Sequence, residues 1–242
     1  MNIHQALKNS YSLLNNRFNT YKLDCEILLA NTLKMNNRLD LFINLEKNLT
    51  KKEINIFFNF IKERQRFKPI SKIITKKEFW NLEIDVSKKV LIPRPETEVL
   101  LDQVSKELKN RLNIQFLDIG CGSGCLVLAL LEIFSDSKGE AFDISKEAVL
   151  NTKFNLNKYN KSNRVKVFQR DLFKFQTHKQ YDLIISNPPY LKNSEYINLS
   201  PSIKNYEPKN ALVSDCKDGT KFYYHIIKNL KRNLKMNGYF AF

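Results

Sequence analysis

The 242-residue sequence predicts an α/β protein with a mainly parallel sheet, preceded by a small all-helical domain and a β-hairpin linker. Apolar residues recur at helical spacing throughout the first 67 residues, which is typical of packed amphipathic helices. Short β-like segments follow, and then strand-like and helix-like segments alternate, which favours parallel strands joined by crossover helices.

The N-terminal domain is predicted to span residues 1–67. One helix carries its stripe at Ile3, Leu7, Tyr11 and Leu14. A later helix begins with Thr50 and Glu53, which are spaced as a capping box. Core packing explains these stripes without any functional role.

A linker with a β-hairpin is predicted for residues 68–94 and the main α/β domain for residues 95–242. The strand candidates are "IQFLDIG", "GEAFDIS", "RVKVFQRD", "YDLIISN" and "NGYFAF". Segments 123–134, 145–158 and 219–236 suit the helices between them.

Composition limits the possible classes of protein. The chain has 40 Lys and Arg against 25 Asp and Glu, which gives a net charge of +15. Three explanations of this charge stay open: binding to nucleic acid, binding to an acidic protein, and AT-rich codon usage. Four cysteines and three histidines show no metal-ligand spacing, so no metal site is predicted. No long apolar run indicates a membrane span or a secretory signal, so a cytoplasmic location is expected.

A glycine-rich turn in "FLDIGCGSGCLVLALL" predicts a ligand-binding loop, Gly120, Cys121, Gly122, Ser123 and Gly124, between a strand and a helix. A dinucleotide fingerprint would need a third glycine at Cys125, so a pyrophosphate-binding loop is disfavoured.

Aspartates at strand ends favour a nucleoside ligand that carries positive charge, and S-adenosylmethionine fits that description. Asp143 is placed to accept hydrogen bonds from ribose hydroxyls. Asp118 either braces the glycine loop or faces the amino group of the ligand. Asp171 and Leu172 are placed to contact an adenine ring. Each aspartate alone is also explained as a helix cap or turn former.

The segment "NPPY", residues 187–190, follows a predicted strand and cannot continue regular structure, because two prolines remove two backbone donors. Its rigidity directs the side-chain oxygen of Asn187 and the carbonyl of Pro188 outward, as paired acceptors for a planar NH2 group. Pro189 helps to fix the loop, and Tyr190 is expected to form an aromatic wall for the substrate. Held in this way, the substrate nitrogen points its lone pair at the methyl donor.

These motifs together resemble the protein-(glutamine N5) methyltransferases, specifically the release factor glutamine methyltransferase family. The resemblance rests on "EFWNLEIDVSKKVLIPRPETE", "LDIGCGSG", "AFDIS", "DLF", "YDLIISNPPY", "YEPKNAL" and "DG" in this order.

The resemblance implies a Rossmann-like sheet and methyl transfer from S-adenosylmethionine to the glutamine of the Gly-Gly-Gln loop of class I peptide chain release factors. It implies that Asn187 and Pro188 act on the substrate amide, with Pro189 and Tyr190 beside them. Residues 120–124, Asp143, Asp171, Leu172 and Asn187 would form the cofactor site, and residues 1–67 would help to engage the release factor. Arg94, Glu96 and Glu98 border the site in the family motif, although Pro95 followed by two acids is also typical of a helix start.

The chain departs from the family pattern at three places. Thr75 and Lys72 stand where the family often has a glycine and an aromatic residue. The sequence stops at its fifth predicted main-sheet strand, so the last strands of the family sheet are expected to be missing.

Two alternative functions stay open from the sequence. One is a nucleic-acid amino-group methyltransferase that uses the same acceptor pair, and the other is a non-catalytic protein that binds release factor. The preferred hypothesis, methylation of a release factor glutamine, expects a monomer that requires neither a membrane nor nucleic acid.

Overall fold

The computed structural model describes residues 1–242, and the chain divides into two compact units, Met1–Thr75 and Lys76–Phe242. The first unit is entirely helical. Its helices are α1 (Ile3–Leu14), α2 (Tyr21–Thr32), α3 (Asp40–Ile43), α4 (Lys51–Gln65) and α5 (Ile70–Ile73).

The helices of the first unit begin and pack as their sequence indicates. The predicted capping box of α4 is present, with the side chains of Thr50 and Glu53 each bonded to the other residue's backbone N–H. Fully buried apolar side chains from α1, α2 and α4 form one core, including those of Ile3, Leu28 and Phe57.

A turn in left-handed conformation ends the first unit, where Thr75 has a φ of 60°. A β-branched residue is strained in this conformation, and glycine adopts it freely. The turn forms here although Thr75 stands where a glycine would carry no strain.

The second unit opens with an antiparallel hairpin of β1 (Lys76–Phe79) and β2 (Leu82–Asp85). Its two-residue turn places Trp80 and Asn81 at φ values of 52° and 58°. Positive φ at both central positions matches the twist of the flanking strands.

A five-stranded parallel sheet forms the centre of the second unit, in the order β5-β4-β3-β6-β7. Its strands are β3 (Gln115–Ile119), β4 (Lys138–Asp143), β5 (Val165–Gln169), β6 (Tyr181–Ser186) and β7 (Leu234–Ala241). The helices around it are α6 (Glu96–Glu107), α7 (Cys125–Ile133), α8 (Lys146–Lys158), α9 (Asn193–Ile197), α10 (Pro201–Lys204) and α11 (Lys221–Leu230).

Both faces of this sheet are covered. Phe116 of β3 packs into a core shared with the hairpin, α6 and α7, whereas its neighbour Leu117 packs with Ile226 and Leu230 of α11. Alternate residues of a strand point to opposite faces, so Asp118 shares the face of Phe116. The predicted α/β class with a parallel sheet is confirmed.

The order of the strands reverses direction at β3. The chain proceeds outward through β4 and β5 and then returns to β6, on the other side of β3. In open α/β sheets ligands bind at such a switch point, outside the carboxyl ends of the strands.

No helix is both long and apolar enough to cross a lipid bilayer.

Candidate active site

A cavity of about 680 Å³ lies at the carboxyl ends of β3, β4, β5 and β6. Most of the residues predicted for the site line it, namely Gly120, Cys121, Gly122, Ser123, Asp143, Asp171, Leu172, Asn187, Pro188 and Pro189. The segment Lys89–Arg94 and the side chain of Thr97 complete one wall.

The glycine loop is held by the strand beside it and by α8. The backbone N–H of Gly120 donates to the carbonyl of Phe142 at 2.8 Å. Thr152 donates its hydroxyl to the carbonyl of Gly122 at 3.1 Å, and Asn155 donates to the carbonyl of Ser123 at 2.9 Å. Both side chains of α8 are fully buried. The sequence analysis did not identify them, although they lie on one helical face that faces the core.

Asn155 also joins the loop to the hairpin. Its Oδ1 accepts from the backbone N–H of Asp85, and its Nδ2 donates to the carbonyl of the same residue. Asn151, one turn earlier, bonds to the N–H of Ser87 and to the carbonyl of Asp85. The side-chain amides of Asn151 and Asn155 thus both hold β2, and that of Asn155 also holds the glycine loop.

Gly124 does not line the cavity, in contrast to the other four residues of the predicted loop. It has a φ of 82° and caps the N-terminus of α7. A Cβ there would lie 2.9 Å from Cγ2 of Thr152, so the glycine allows α7 and α8 to approach closely. Its place in the structure is that of a packing residue.

Asp143, at the end of β4, accepts two backbone hydrogen bonds, from the N–H of Gly122 at 3.0 Å and that of Ser145 at 2.9 Å. Burial nevertheless raises the pKa of its carboxyl above the ordinary value, against these two bonds. Each carboxylate oxygen keeps a second lone pair, so the residue is still able to accept hydrogen bonds from a ligand.

Asp171 and Leu172 both line the cavity, but the Asp171 carboxylate is already engaged. Its Oδ1 accepts from the N–H of Phe173 at 2.9 Å and caps the short 3-10 helix Leu172–Lys174. The cap explanation for this aspartate is therefore correct, and a role in reading an adenine edge stays a prediction. Leu172 is buried in the core that contains Phe142.

Asp118, immediately before the glycine loop, is fully buried, and neither of its carboxylate oxygens has a hydrogen-bond partner. Of the two alternatives for Asp118, bracing of the glycine loop has no hydrogen bond behind it, and facing the amino group of a ligand stays a prediction. Burial, and to a lesser extent the nearby Asp143, raises the pKa of its carboxyl to about 8.

Asn187 is oriented by a residue that the sequence analysis did not identify. Its Nδ2 donates to the hydroxyl of Thr97, in the first turn of α6, at 3.0 Å. No protein group donates to its Oδ1 or to the backbone carbonyl of Pro188. Both acceptors of the predicted pair are therefore free of protein partners, beside the glycine loop on neighbouring strands β3 and β6.

Tyr190 lies outside the cavity, with 53% of its surface exposed. The backbone of this residue is pressed against Gly219, because a Cβ on Gly219 would lie 2.4 Å from the Tyr190 carbonyl oxygen. Tyr190 is not among the residues that line the cavity, and its role as an aromatic wall for the substrate stays a prediction.

The segment "IPRPETE" reaches the cavity through Ile92, Pro93, Arg94 and Thr97. Arg94 lines it and pairs with Glu207, and Thr97 contacts Asn187. Glu98 accepts the backbone N–H of Trp80 in the hairpin turn at 3.1 Å, and Glu96 is exposed. Arg94 and Glu98 therefore have structural partners, and Pro95 caps α6 as its sequence indicates.

Comparisons with known proteins define the class first. The catalytic domain of hMettl16, crystallised with the MAT2A 3'UTR hairpin 6, matches with a TM-score of 0.51 at 20% identity, over 64% of this chain and 60% of that one. This similarity shows the methyltransferase fold alone. Residues 95–201 match the methyltransferase small domain, and residues 5–74 match the PrmC N-terminal domain.

Similar proteins then define the family. A release factor glutamine methyltransferase of Clostridium botulinum is 35% identical over 92% of this chain and 79% of its own length. One from Buchnera aphidicola is 40% identical over 90% of this chain and 77% of its own length. A bifunctional methyltransferase of Rickettsia prowazekii is 34% identical over 98% of this chain, which spans 49% of that relative. The chain belongs to the release factor glutamine methyltransferase family.

Proposed function

We propose that this protein transfers a methyl group from S-adenosylmethionine to the side-chain amide nitrogen of a glutamine in a peptide chain release factor. The glutamine is that of the Gly-Gly-Gln loop of class I release factors. The single observation that carries the chemistry is the pair of unpartnered acceptors, Oδ1 of Asn187 and the carbonyl of Pro188, at the edge of the cavity.

An amide nitrogen is a poor nucleophile because its lone pair is delocalised into the carbonyl. Two acceptors that hold its two N–H bonds orient the lone pair and stabilise the positive charge that develops on nitrogen. The hydrogen bond from Asn187 Nδ2 to Thr97 makes Oδ1, and not the NH2 group, face the substrate. Pro188 and Pro189 keep the two oxygens at a fixed spacing.

The residues around the cavity fit S-adenosylmethionine, which supplies an activated methyl on a sulfonium. The glycine loop brings backbone close to a ligand, and Asp143 offers free lone pairs to ribose hydroxyls. Leu172 and Phe142 offer apolar surface for a ring. The carboxyl of Asp118, two residues before Gly120, is buried and has no hydrogen-bond partner within the protein.

The parts of the chain have separate roles in this proposal. Residues 1–67 recognise the release factor, residues 68–94 form the linker with its hairpin, and residues 95–242 carry out the transfer. The protein works as a monomer, and the reaction requires no nucleic acid.

Mass spectrometry of a purified class I release factor, after incubation with this protein and S-adenosylmethionine, tests the proposal. One added methyl on the Gly-Gly-Gln glutamine is expected. Asn187→Ala should abolish methylation, and Asn205→Ala, at an exposed position, should leave it unchanged. Full methylation by the Asn187→Ala variant would show that the reaction does not depend on the acceptor pair. Methyl transfer to RNA or DNA, with none to the release factor, would show that the substrate is a nucleic acid.

A further inference from the structure

Ser186 is the last residue of β6 and comes directly before Asn187. Its side chain is fully buried, and the residue lines the cavity. Its hydroxyl donates to the backbone carbonyl of Ile119, its neighbour across the sheet in β3, at 2.6 Å. A hydroxyl has one proton to donate, so in this arrangement Ser186 does not donate to a ligand or to Asn187.

The carbonyl of Ile119 belongs to the peptide group at which the glycine loop begins. The N–H of the same peptide group is that of Gly120, which donates to the carbonyl of Phe142 in β4 at 2.8 Å. A peptide group is planar, so a rotation that moves its carbonyl also moves its N–H. Because Gly120 has a φ of 76° and glycine is not confined to one conformation, hydrogen bonds on both sides are needed to fix this group.

The other side-chain hydrogen bonds to the glycine loop come from β4 and α8. Asp143 holds the loop from β4, and Thr152 and Asn155 hold it from α8. Ser186 holds it from β6, which is the strand that also carries Asn187 at its end. The hydroxyl of Ser186 therefore joins the loop at the cofactor side of the cavity to the segment that presents the acceptor pair.

We propose that Ser186 is a positioning residue for methyl transfer, because its hydrogen bond to Ile119 fixes the spacing between the glycine loop and the acceptor pair of Asn187 and Pro188. This inference rests on the proposed function, because it concerns the same reaction in the same cavity. Reacting atoms must be held in line at about 3–3.5 Å, and a displacement of about 1 Å costs roughly a hundredfold in rate. A small movement of one segment relative to the other therefore slows the transfer without removing any group that binds either molecule.

The Ser186→Ala variant tests this role because it removes the hydroxyl and no other polar group. We expect kcat for methylation of a class I release factor to fall about tenfold, with KM for the release factor and Kd for S-adenosylmethionine changed by less than about twofold. Ser186→Thr keeps the donor and suits a strand, so kcat should stay within about threefold of the wild type. Steady-state methylation gives kcat and KM, and calorimetry gives Kd.

The Ser137→Ala variant is the matched control. Ser137 is also fully buried in the second unit, and its hydroxyl accepts the N–H of Ile114 at 2.8 Å. It precedes β4 at the amino end of the sheet and does not line the cavity. Both alanine variants should lower the urea midpoint of unfolding, but only Ser186→Ala should lower kcat. An equal fall in kcat for both variants, or for Ser186→Ala and Ser186→Thr, overturns the positioning role.

Amide NMR spectra test the connection between the two segments without any methyl transfer. The N–H of Leu191 donates to the carbonyl of Leu212 at 2.9 Å, and Leu191 does not line the cavity. In the wild-type protein, S-adenosylmethionine should shift the amide signal of Leu191, because the hydrogen bond of Ser186 carries the response of the glycine loop to the segment after β6. The Ser186→Ala variant should bind the cofactor and lose most of this shift. An undiminished shift overturns the connection.

The outcomes separate this inference from the proposed function. An unchanged kcat in the Ser186→Ala variant overturns the role of Ser186 and leaves methylation of the release factor intact. A loss confined to cofactor affinity also overturns the positioning role, because it assigns Ser186 to cofactor binding. No methylation by the wild-type protein, together with the expected loss of the Leu191 shift in the variant, supports Ser186 and overturns the substrate. Failure of the wild-type protein to bind S-adenosylmethionine overturns both.

Discussion

Arg94 and Glu207 are separated by 113 positions in the chain, yet Nη2 of the arginine lies 2.7 Å from Oε1 of the glutamate. Glu207 also accepts the backbone N–H of Ile92 through Oε2 at 3.1 Å. One carboxylate therefore fastens "YEPKNAL" to "LIPRPETE", and both segments contribute to the cavity wall.

Replacement of the two partners should have unequal effects on stability. The Glu207 side chain is 1% exposed and that of Arg94 29%. Arg94→Met leaves a buried carboxylate without its cation and should lower the free energy of unfolding by about 3 kcal/mol. Glu207→Gln leaves the guanidinium partly in water and should cost only about 1 kcal/mol. Urea denaturation measures both.

The exposed pair of Lys89 and Glu147 supplies a control for this comparison. Lys89→Met should leave the unfolding midpoint unchanged, because solvent screens that pair. Equal losses for Arg94→Met and Glu207→Gln would contradict the assignment of Glu207 as the buried member.

Thr97 should act as a positioning residue for Asn187. Thr97→Val keeps the shape but removes the acceptor for Asn187 Nδ2, so the amide is free to rotate. We expect kcat to fall about tenfold with little change in cofactor affinity, and Thr97→Ser to restore it. Single-turnover methylation of a release factor and calorimetry measure the two quantities. A weakened cofactor affinity with unchanged kcat would assign Thr97 to the cofactor site instead.

Asn155 of α8 should be important for stability although it does not line the cavity. Asn155→Ala removes the side-chain partner of the Asp85 N–H and of the Ser123 carbonyl, while the Asp85 carbonyl keeps Asn151, and it should lower the free energy of unfolding by about 3 kcal/mol. The freed glycine loop should also bind S-adenosylmethionine more weakly. Asn157→Ala, exposed on the same helix, is the matched control and should change neither quantity.

A methyl group at Gly219 should displace the substrate segment. The Cβ of Gly219→Ala would meet the Tyr190 carbonyl oxygen at 2.4 Å, which forces the backbone after Pro189 to shift. The φ of 80° adds about 1–2 kcal/mol of strain. Methylation of release factor should fall more than cofactor affinity, while Lys217→Ala, at an exposed position of the same loop, should have no effect. An unchanged rate for Gly219→Ala would show that the segment tolerates the shift.

The sequence identified the sheet because its strands and helices differ in period and length. It also placed the glycine loop, Asp143 and Asn187 at neighbouring strand ends, since parallel strands present their carboxyl ends at one edge. The last predicted helix, residues 219–236, is longer than α11 in the structure. Its apolar spacing continues to Leu234, where β7 begins after the short helix Lys231–Asn233.

Other parts of the site depend on contacts that local sequence does not encode. In the sequence Thr97 has no feature that distinguishes it from any other residue at the start of a helix. It contacts Asn187 because α6 lies close to the end of β6 in the folded protein. Tyr190 follows two cavity-lining prolines, but the close approach of its backbone to Gly219, 29 positions later in the sequence, is visible only in the folded chain. Asp118 could be recognised as a strand-end acid, whereas its lack of partners requires the packed structure.

The buried amides of α8 have a consequence for motion as well as for stability. Because Asn155 bonds to Asp85 in β2 and to Ser123 in the glycine loop, these two stretches of chain open together or not at all. Occupation of the cavity should therefore slow deuterium uptake at the main-chain nitrogen of Asp85, which does not touch the cavity. Deuterium uptake in the hairpin thus indicates whether the methyl donor is bound.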